Sequence, residues 1–183
     1  MTHTGSVGGR ERLRLFCALR LPERAVAALE RWQAAELRGG RIVPADHLHV
    51  TLAFLGSRPA ADLDTVSEAL RGAARDAGEI AFSARRYRET RSVGMVVLED
   101  ETEEAGPLAE RLFDRLEALG VYERERRPWL PHVTVLRFRA RPRLEPPVPE
   151  LGRFSPSDAA VYSSALRPSG AQYEVLESVP LGG

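Results

Sequence analysis

Residues 47–56 read HLHVTLAFLG, an apolar run interrupted by His49 and Thr51 two positions apart. Residues 128–137, PWLPHVTVLR, repeat the device with His132 and Thr134. In a β-strand, residues i and i+2 point to the same face and lie roughly 6.5–7 Å apart. His49 and Thr51 therefore share one face while Val50, Leu52 and Phe54 share the other, and His132 and Thr134 likewise oppose Val133 and Val135. The apolar face suits packing under helices; the His/Thr face must be open or lined by polar groups. With four histidines and seven threonines in 183 residues, two such coincidences arise by chance about 1% of the time. The pair is a signal.

The surrounding chain reads as alternating strands and helices. RLRLFCALRL (12–21) is a strand stopped by Pro22, which opens a helix over 22–37 that Gly39 and Gly40 end. HLHVTLAFL forms a strand closed by Gly56, followed by a helix over 61–78, strands over 79–89 and 92–100, and a helix over 103–120. PHVTVLRF is the next strand. The proline-dense segment 141–152 is an extended loop, and 154–166 with 171–181 forms a closing antiparallel hairpin about RPSG. Hairpins among the strands favour an α+β architecture over a regular parallel sheet. A glycine-ended helix precedes each His-x-Thr strand, and His49 to His132 and Thr51 to Thr134 are both 83 residues apart. Two similar halves, each presenting one motif to a cleft between them, follow from that repeat. Residues 1–10, rich in Gly, Ser and Thr, are expected to form a flexible N-terminus, and 11–183 a single bilobal domain.

Composition narrows the classes of function. The 26 basic residues balance 26 acidic ones, so no net field draws the chain to nucleic acid or membrane. All 26 are arginine, and any phosphate contact from a basic side chain must use a guanidinium, which is suited to bidentate binding. Cys17, the sole cysteine, lies in an apolar run and reads as a buried structural thiol. No signal-peptide core or run of 18 apolar residues is present. A soluble, cytoplasmic monomer without membrane contact is expected.

Imidazoles titrate near pH 6.5, so one can accept a proton while another gives one at neutral pH. A threonine hydroxyl can donate to a non-bridging phosphate oxygen. Two of each, converging on one group, suit in-line phosphoryl transfer without a metal. Two rival readings remain. His47 and His49 could chelate a metal with His132, Asp46 being the one acidic candidate nearby. Alternatively the chain binds RNA with little catalysis, through arginines in 139–143 or at 85, 86, 88 and 91.

LHVTLAFLG and PHVTVLR resemble the paired His-x-Thr-x motifs of the two-histidine phosphoesterase superfamily. More closely, RLFCALRLPE, RIVPADHLHVTLAFLG, RPWLPHVTVLR and VYSSALRPSGAQYEVL resemble blocks of the RNA 2′,3′-cyclic phosphodiesterases, also called 2′-5′ RNA ligases. The resemblance implies a bilobal fold of two antiparallel-rich sheets with outer helices, related by a pseudo-two-fold about the cleft. It implies hydrolysis of RNA 2′,3′-cyclic phosphate ends to 2′-phosphomonoesters with no metal or nucleotide cofactor, and in some members 2′-5′ joining of RNA ends. By the same resemblance His49 is the proton donor, His132 the proton acceptor, and Thr51 and Thr134 hold phosphate oxygens. Arg137 matches a basic residue common after the second motif, but ideal parity points it to the wrong face, so it needs a bulge or a strand end. Parity also sends Phe54 to the core. Ile42 and Leu130 stand where the family often has tryptophan and a basic residue. A small cyclic nucleotide, or an ADP-ribose-derived cyclic phosphate, is the alternative substrate.

Overall fold

The structure, a computed structural model, describes residues 11–182; the expected flexible segment 1–10 lies outside them. The elements run β1 (Arg12–Arg20), α1 (Glu23–Glu36), β2 (Arg41–Ile42), β3 (His49–Pro59), α2 (Leu63–Arg75), β4 (Phe82–Glu89), β5 (Val93–Asp100), α3 (Ala105–Ala118), β6 (His132–Arg137), β7 (Asp158–Arg167) and β8 (Gly170–Val179). The order of types agrees with the sequence reading. Three local differences stand out. The pair Arg41–Ile42 is an additional short strand, Ala45–His47 is a 3-10 turn, and β3 continues past Gly56 to Pro59. Gly56 does not close the strand because its φ of 69° is absorbed within the pairing to Leu15.

The strands form one sheet in the order β4-β5-β6-β3-β1-β7-β8, with β2 also on β6 and every pairing antiparallel. The two expected sheets are halves of it, joined where β3 meets β6 at the single pair Val50↔Val133. The halves correspond closely. Arg20↔His49, Leu19↔Val50 and Ala18↔Thr51 in one match Val97↔His132, Val96↔Val133 and Met95↔Thr134 in the other. In each, a helix links the outer strand to the histidine strand: β1-α1-β3 and β5-α3-β6.

Helix faces follow from apolar spacing. Ala25, Leu29 and Trp32 of α1 are buried, as are Val66, Leu70 and Ala73 of α2 and Leu108, Leu112 and Leu116 of α3. They pack on Leu15, Cys17, Leu19, Val50, Val96, Val133 and Val161, residues of one sheet face, in a single core. Pro22 leads into α1 and Glu23 occupies its first turn. The first amides of α3 are met by Asp100 from the end of β5, whose Oδ2 accepts from Ala105 N at 2.9 Å and Gly106 N at 3.2 Å. The opposite sheet face carries no helix. It has a small cluster of its own, in which Phe16, Ala18, Ala160 and Tyr162 are buried beside Tyr173.

The 141–152 segment has no regular structure, as expected, yet it is tied down. Trp32 Nε1–H donates to the Pro147 carbonyl at 2.8 Å. Glu89 accepts from the Arg143 and Leu144 amides at 2.9 and 2.8 Å, from Tyr87 at 3.0 Å and from Arg141 at 3.1 Å. Burial opposes the charge on Glu89, but these hydrogen bonds prevail and hold its carboxyl below the usual range.

Both histidine strands are bulged just after the motif. The β1 register slips between Cys17 and Ala18, leaving Leu52 as the extra residue of β3. The β5 register slips between Gly94 and Met95, leaving Val135 as the extra residue of β6. A bulge inserts one residue and reverses the parity beyond it. Leu52 and Ala53 therefore both face the helices, as do Val135 and Leu136, and positions 54 and 137 turn to the His/Thr face. Phe54 is 48% exposed, which corrects its expected place in the core. The second bulge is braced from α1. Gln33, 1% exposed, donates from Nε2 to the Val43 and Val135 carbonyls at 3.0 and 2.9 Å. Gln33→Leu strands the Val43 carbonyl without that donor, so urea unfolding should show a loss of about 1–3 kcal/mol, with the slope on denaturant unchanged.

Candidate active site

Each histidine is oriented by its own chain. His49 Nδ1–H donates to the His47 carbonyl at 2.8 Å, and His132 Nδ1–H donates to the Leu130 carbonyl at 2.8 Å. A carbonyl only accepts, so Nδ1 holds a proton in both rings and Nε2 is the nitrogen that gains or loses one. The departure at Leu130 leaves this arrangement intact, because the contact is to backbone. At His49, Nε2 lies 2.9 Å from Thr51 Oγ1, whose hydroxyl donates to it when the ring is neutral.

The β3–β6 pair sets the motifs against each other. With Val50 opposite Val133 in an antiparallel pair, His49 is opposite Thr134 and Thr51 opposite His132. Same-face neighbours across such a pair have Cβ atoms roughly 4.5–5.5 Å apart. The four side chains thus form one quadrilateral on the open face. Trp129 ties its loop to this point, donating from Nε1 to the Thr51 carbonyl at 3.0 Å.

A cleft of about 450 Å³ opens above the quadrilateral, with His49, Thr51, Thr134 and Arg137 in its walls. His132, half-buried, is not among those walls and borders the site from the Thr51 end. Arg137 reaches the cleft through the bulge that its parity required. Phe54 and Arg137 occupy equivalent places, five positions after their respective histidines.

Several wall residues carry no sequence signal. Phe16 lies 5.1 Å from the His49 ring and stacks on Tyr162 at 4.8 Å, and Tyr173 of the closing hairpin stacks on His47 at 4.2 Å. They reach the site because β7 returns to pair with β1, a long-range event that local periodicity does not encode. Arg14, set 5.0 Å over the Phe54 ring, and Arg41 and Arg167 bring further guanidinium charge to the cleft.

The metal reading fails on geometry. His49 uses both ring nitrogens within the chain, His47 is stacked on Tyr173, and the described residues hold no group of three or more His, Cys, Asp or Glu that could bind a metal. The arginine runs do not serve the site either. Arg85 pairs with Glu99 and Arg141 with Glu89, and none of the arginines at 85, 86, 88, 91, 139, 141 or 143 lines the cleft. Cys17 is fully buried, which pushes its thiol up to about 12 and makes it inert. No helix among the described residues is long and apolar enough to cross a membrane.

Paired His-x-Thr strands on the open face of a pseudo-symmetric α+β sheet define the two-histidine phosphoesterase fold. The chain belongs to the 2′-5′ RNA ligase superfamily, whose family model matches residues 21–167. An RNA 2′,3′-cyclic phosphodiesterase of Thermus thermophilus is 35% identical over 183 residues, covering 93% of this chain and 91% of that one. The crystal structure of E. coli LigT in its apo form matches with a TM-score of 0.78 at 26% identity, over 95% of this chain and 100% of the other. A crystal structure of a second Thermus thermophilus protein matches with a TM-score of 0.79 at 32% identity, over 93% and 99%.

Burial pushes the His49 imidazole down to about 4 against its hydrogen bond to His47, and the charges of His132, His47 and Arg137 act in the same direction as burial. Unfolded, the ring titrates near 6.5. Between those values the unfolded chain holds a proton that the folded one lacks, so the contribution of His49 to stability is complete above pH 6.5 and is lost as pH falls toward 4. Chemical denaturation from pH 7 to 4 should show a smaller loss of stability for His49→Gln than for the unaltered protein.

Proposed function

We propose that the protein hydrolyses 2′,3′-cyclic phosphate ends of RNA to 2′-phosphomonoesters by acid–base catalysis between His49 and His132. The observation that carries this reading is the quadrilateral, two imidazoles with free-to-titrate Nε2 atoms and two hydroxyls around one phosphate-sized space. The share of the chain matched to a relative named for that activity supports it.

In this mechanism Thr51 and Thr134 donate to the non-bridging oxygens. His132 Nε2 takes a proton from water as its oxygen attacks phosphorus, and the P–O3′ bond breaks as His49 Nε2 delivers a proton to the departing oxygen. The low proton affinity that burial gives His49 makes its imidazolium a strong acid. A phosphodiester anion set against the ring offsets the charge that burial disfavours, so the proton is loaded with the substrate and released to the leaving group. Arg137 adds a guanidinium beside Thr134 for charge that builds on phosphorus oxygens. With the 5′-hydroxyl of a second RNA in place of water, the same steps yield a 2′-5′ linkage. No step requires a metal or a nucleotide cofactor.

His49→Ala and His132→Ala should each lower kcat/KM by about 10²-fold or more, with the double variant losing less than the product of the two because the pair acts as a unit. Activity should survive excess EDTA. The pH dependence of kcat/KM should be a bell whose limbs belong to the pair rather than to named residues. Product analysis should give the 2′-phosphate; a 3′-phosphate would mean that the substrate lies the other way round between the histidines. Near-full activity of either single variant on every cyclic phosphate tried would sink the mechanism.

A further inference from the structure

Arg41 of β2 and Arg137 of β6 stand directly opposite each other in the sheet. Like charges at opposed positions of antiparallel strands repel and weaken the pairing. Elsewhere this chain relieves its guanidinia with carboxylates, as at Arg20 with Asp158, Arg58 with Asp62, Arg71 with Glu177 and Arg124 with Glu110. Neither Arg41 nor Arg137 has a hydrogen-bond or ion-pair partner among the described residues. The repulsion is therefore left in place, where an anion from outside would remove it.

The two side chains border a side pocket of about 150 Å³ that Ser169, Gly170 and Tyr173 of the closing hairpin complete. It is continuous with the main cleft, since Arg41, His47, Arg137 and Tyr173 line both. Gly170 gives Arg41 its room: at φ 120°, a Cβ there would come within 3.2 Å of Arg41 Nη1. The pocket thus holds two forked donors, a serine and a backbone bend, arranged beside rather than within the histidine quadrilateral.

We propose that this pocket is a subsite for a second phosphate, the one esterified to O5′ of the same ribose whose 2′ and 3′ oxygens carry the cyclic phosphate. The inference rests on the hydrolytic reading above and extends it to the class of substrate. On an RNA 3′ end the phosphate at O5′ is the only one adjacent to the cyclic phosphate. A guanidinium fork matches its two free oxygens. Arg137, between Thr134 and the pocket, bridges the two subsites, and Arg41 belongs to the second alone. The pocket therefore selects a chain end over a cyclic phosphate on a bare nucleoside.

The test compares a nucleoside 2′,3′-cyclic phosphate, the same compound bearing a 5′-phosphate, and a dinucleotide with a cyclic end joined by either a phosphate or an uncharged methylphosphonate. Hydrolysis gives kcat/KM for each, and calorimetry gives the affinities of the corresponding unreactive 2′-phosphate products. The charged 5′ group should raise both by about tenfold or more, as charge-assisted hydrogen bonds to one phosphate do, and the methylphosphonate should forfeit the gain. Arg41→Gln should shrink the gain to under about threefold. Equal binding of the charged and neutral dinucleotide products by the unaltered protein would overturn the subsite, with no variant needed. A gain for the 5′-monoester but none for the diester would overturn its assignment to RNA ends. Failure to hydrolyse any cyclic phosphate would count against the proposed function, and the affinities would still decide the subsite.

Discussion

The pairing of Val50 with Val133 holds the molecule's two halves in register. On either side of it the ladders diverge, β3 toward β1 and β6 toward β5 and β2. Two buried valines back the join from the helix side, and their sequence neighbours are the histidines and threonines of the other face. A slip of one residue here would flip a motif from the open face into the core. Burial of Val50 and Val133 therefore fixes the convergence of four polar side chains more firmly than any contact among those side chains does. The site is a by-product of core packing on the opposite face of the same strands.

The two faces divide the labour. The helix-covered face contains nearly all of the buried apolar residues, and its polar members are accounted for. Gln33 serves two carbonyls, and Glu89 gathers the 141–152 segment with its side chain only 2% exposed. Near His49 on the open face, Asp158 accepts from Arg20, Ser157 and Ser178. Burial works against that carboxylate, but these partners hold its pKa below the ordinary value. Polar groups that the fold requires are thus saturated, while those around the cleft keep donors in reserve. A binding surface is distinguished here by what it leaves unpaired.

Element types and the four motif residues were legible because they rest on local rules: period two in strands, period near 3.6 in helices, proline and glycine at ends. The repeat of 83 residues exposed the pseudo-symmetry before any coordinates. Phe54 was misplaced and Arg137 left conditional for one reason, that both follow a bulge, and a bulge is set by the partner strand's register rather than by its own residues. β2 escaped notice because two residues carry no periodicity. Tyr173 and Phe16 were invisible as site residues because only the return of the C-terminal hairpin to β1 brings them to His49. Local pattern identified the chemistry; non-local pairing determined what surrounds it.

A site built from two copies of one motif has a difficulty of handedness. If both copies were identical, an asymmetric ligand would enter with equal ease in either of two orientations, and half of all encounters would present the wrong oxygen to the acid. Phe54 and Arg137 are the equivalent positions at which the copies differ most, one a ring and the other a cation. A flat apolar end and an ionic end cannot exchange places in such a cleft. Divergence at this single position, after duplication of the rest, gives a two-fold frame a head and a tail.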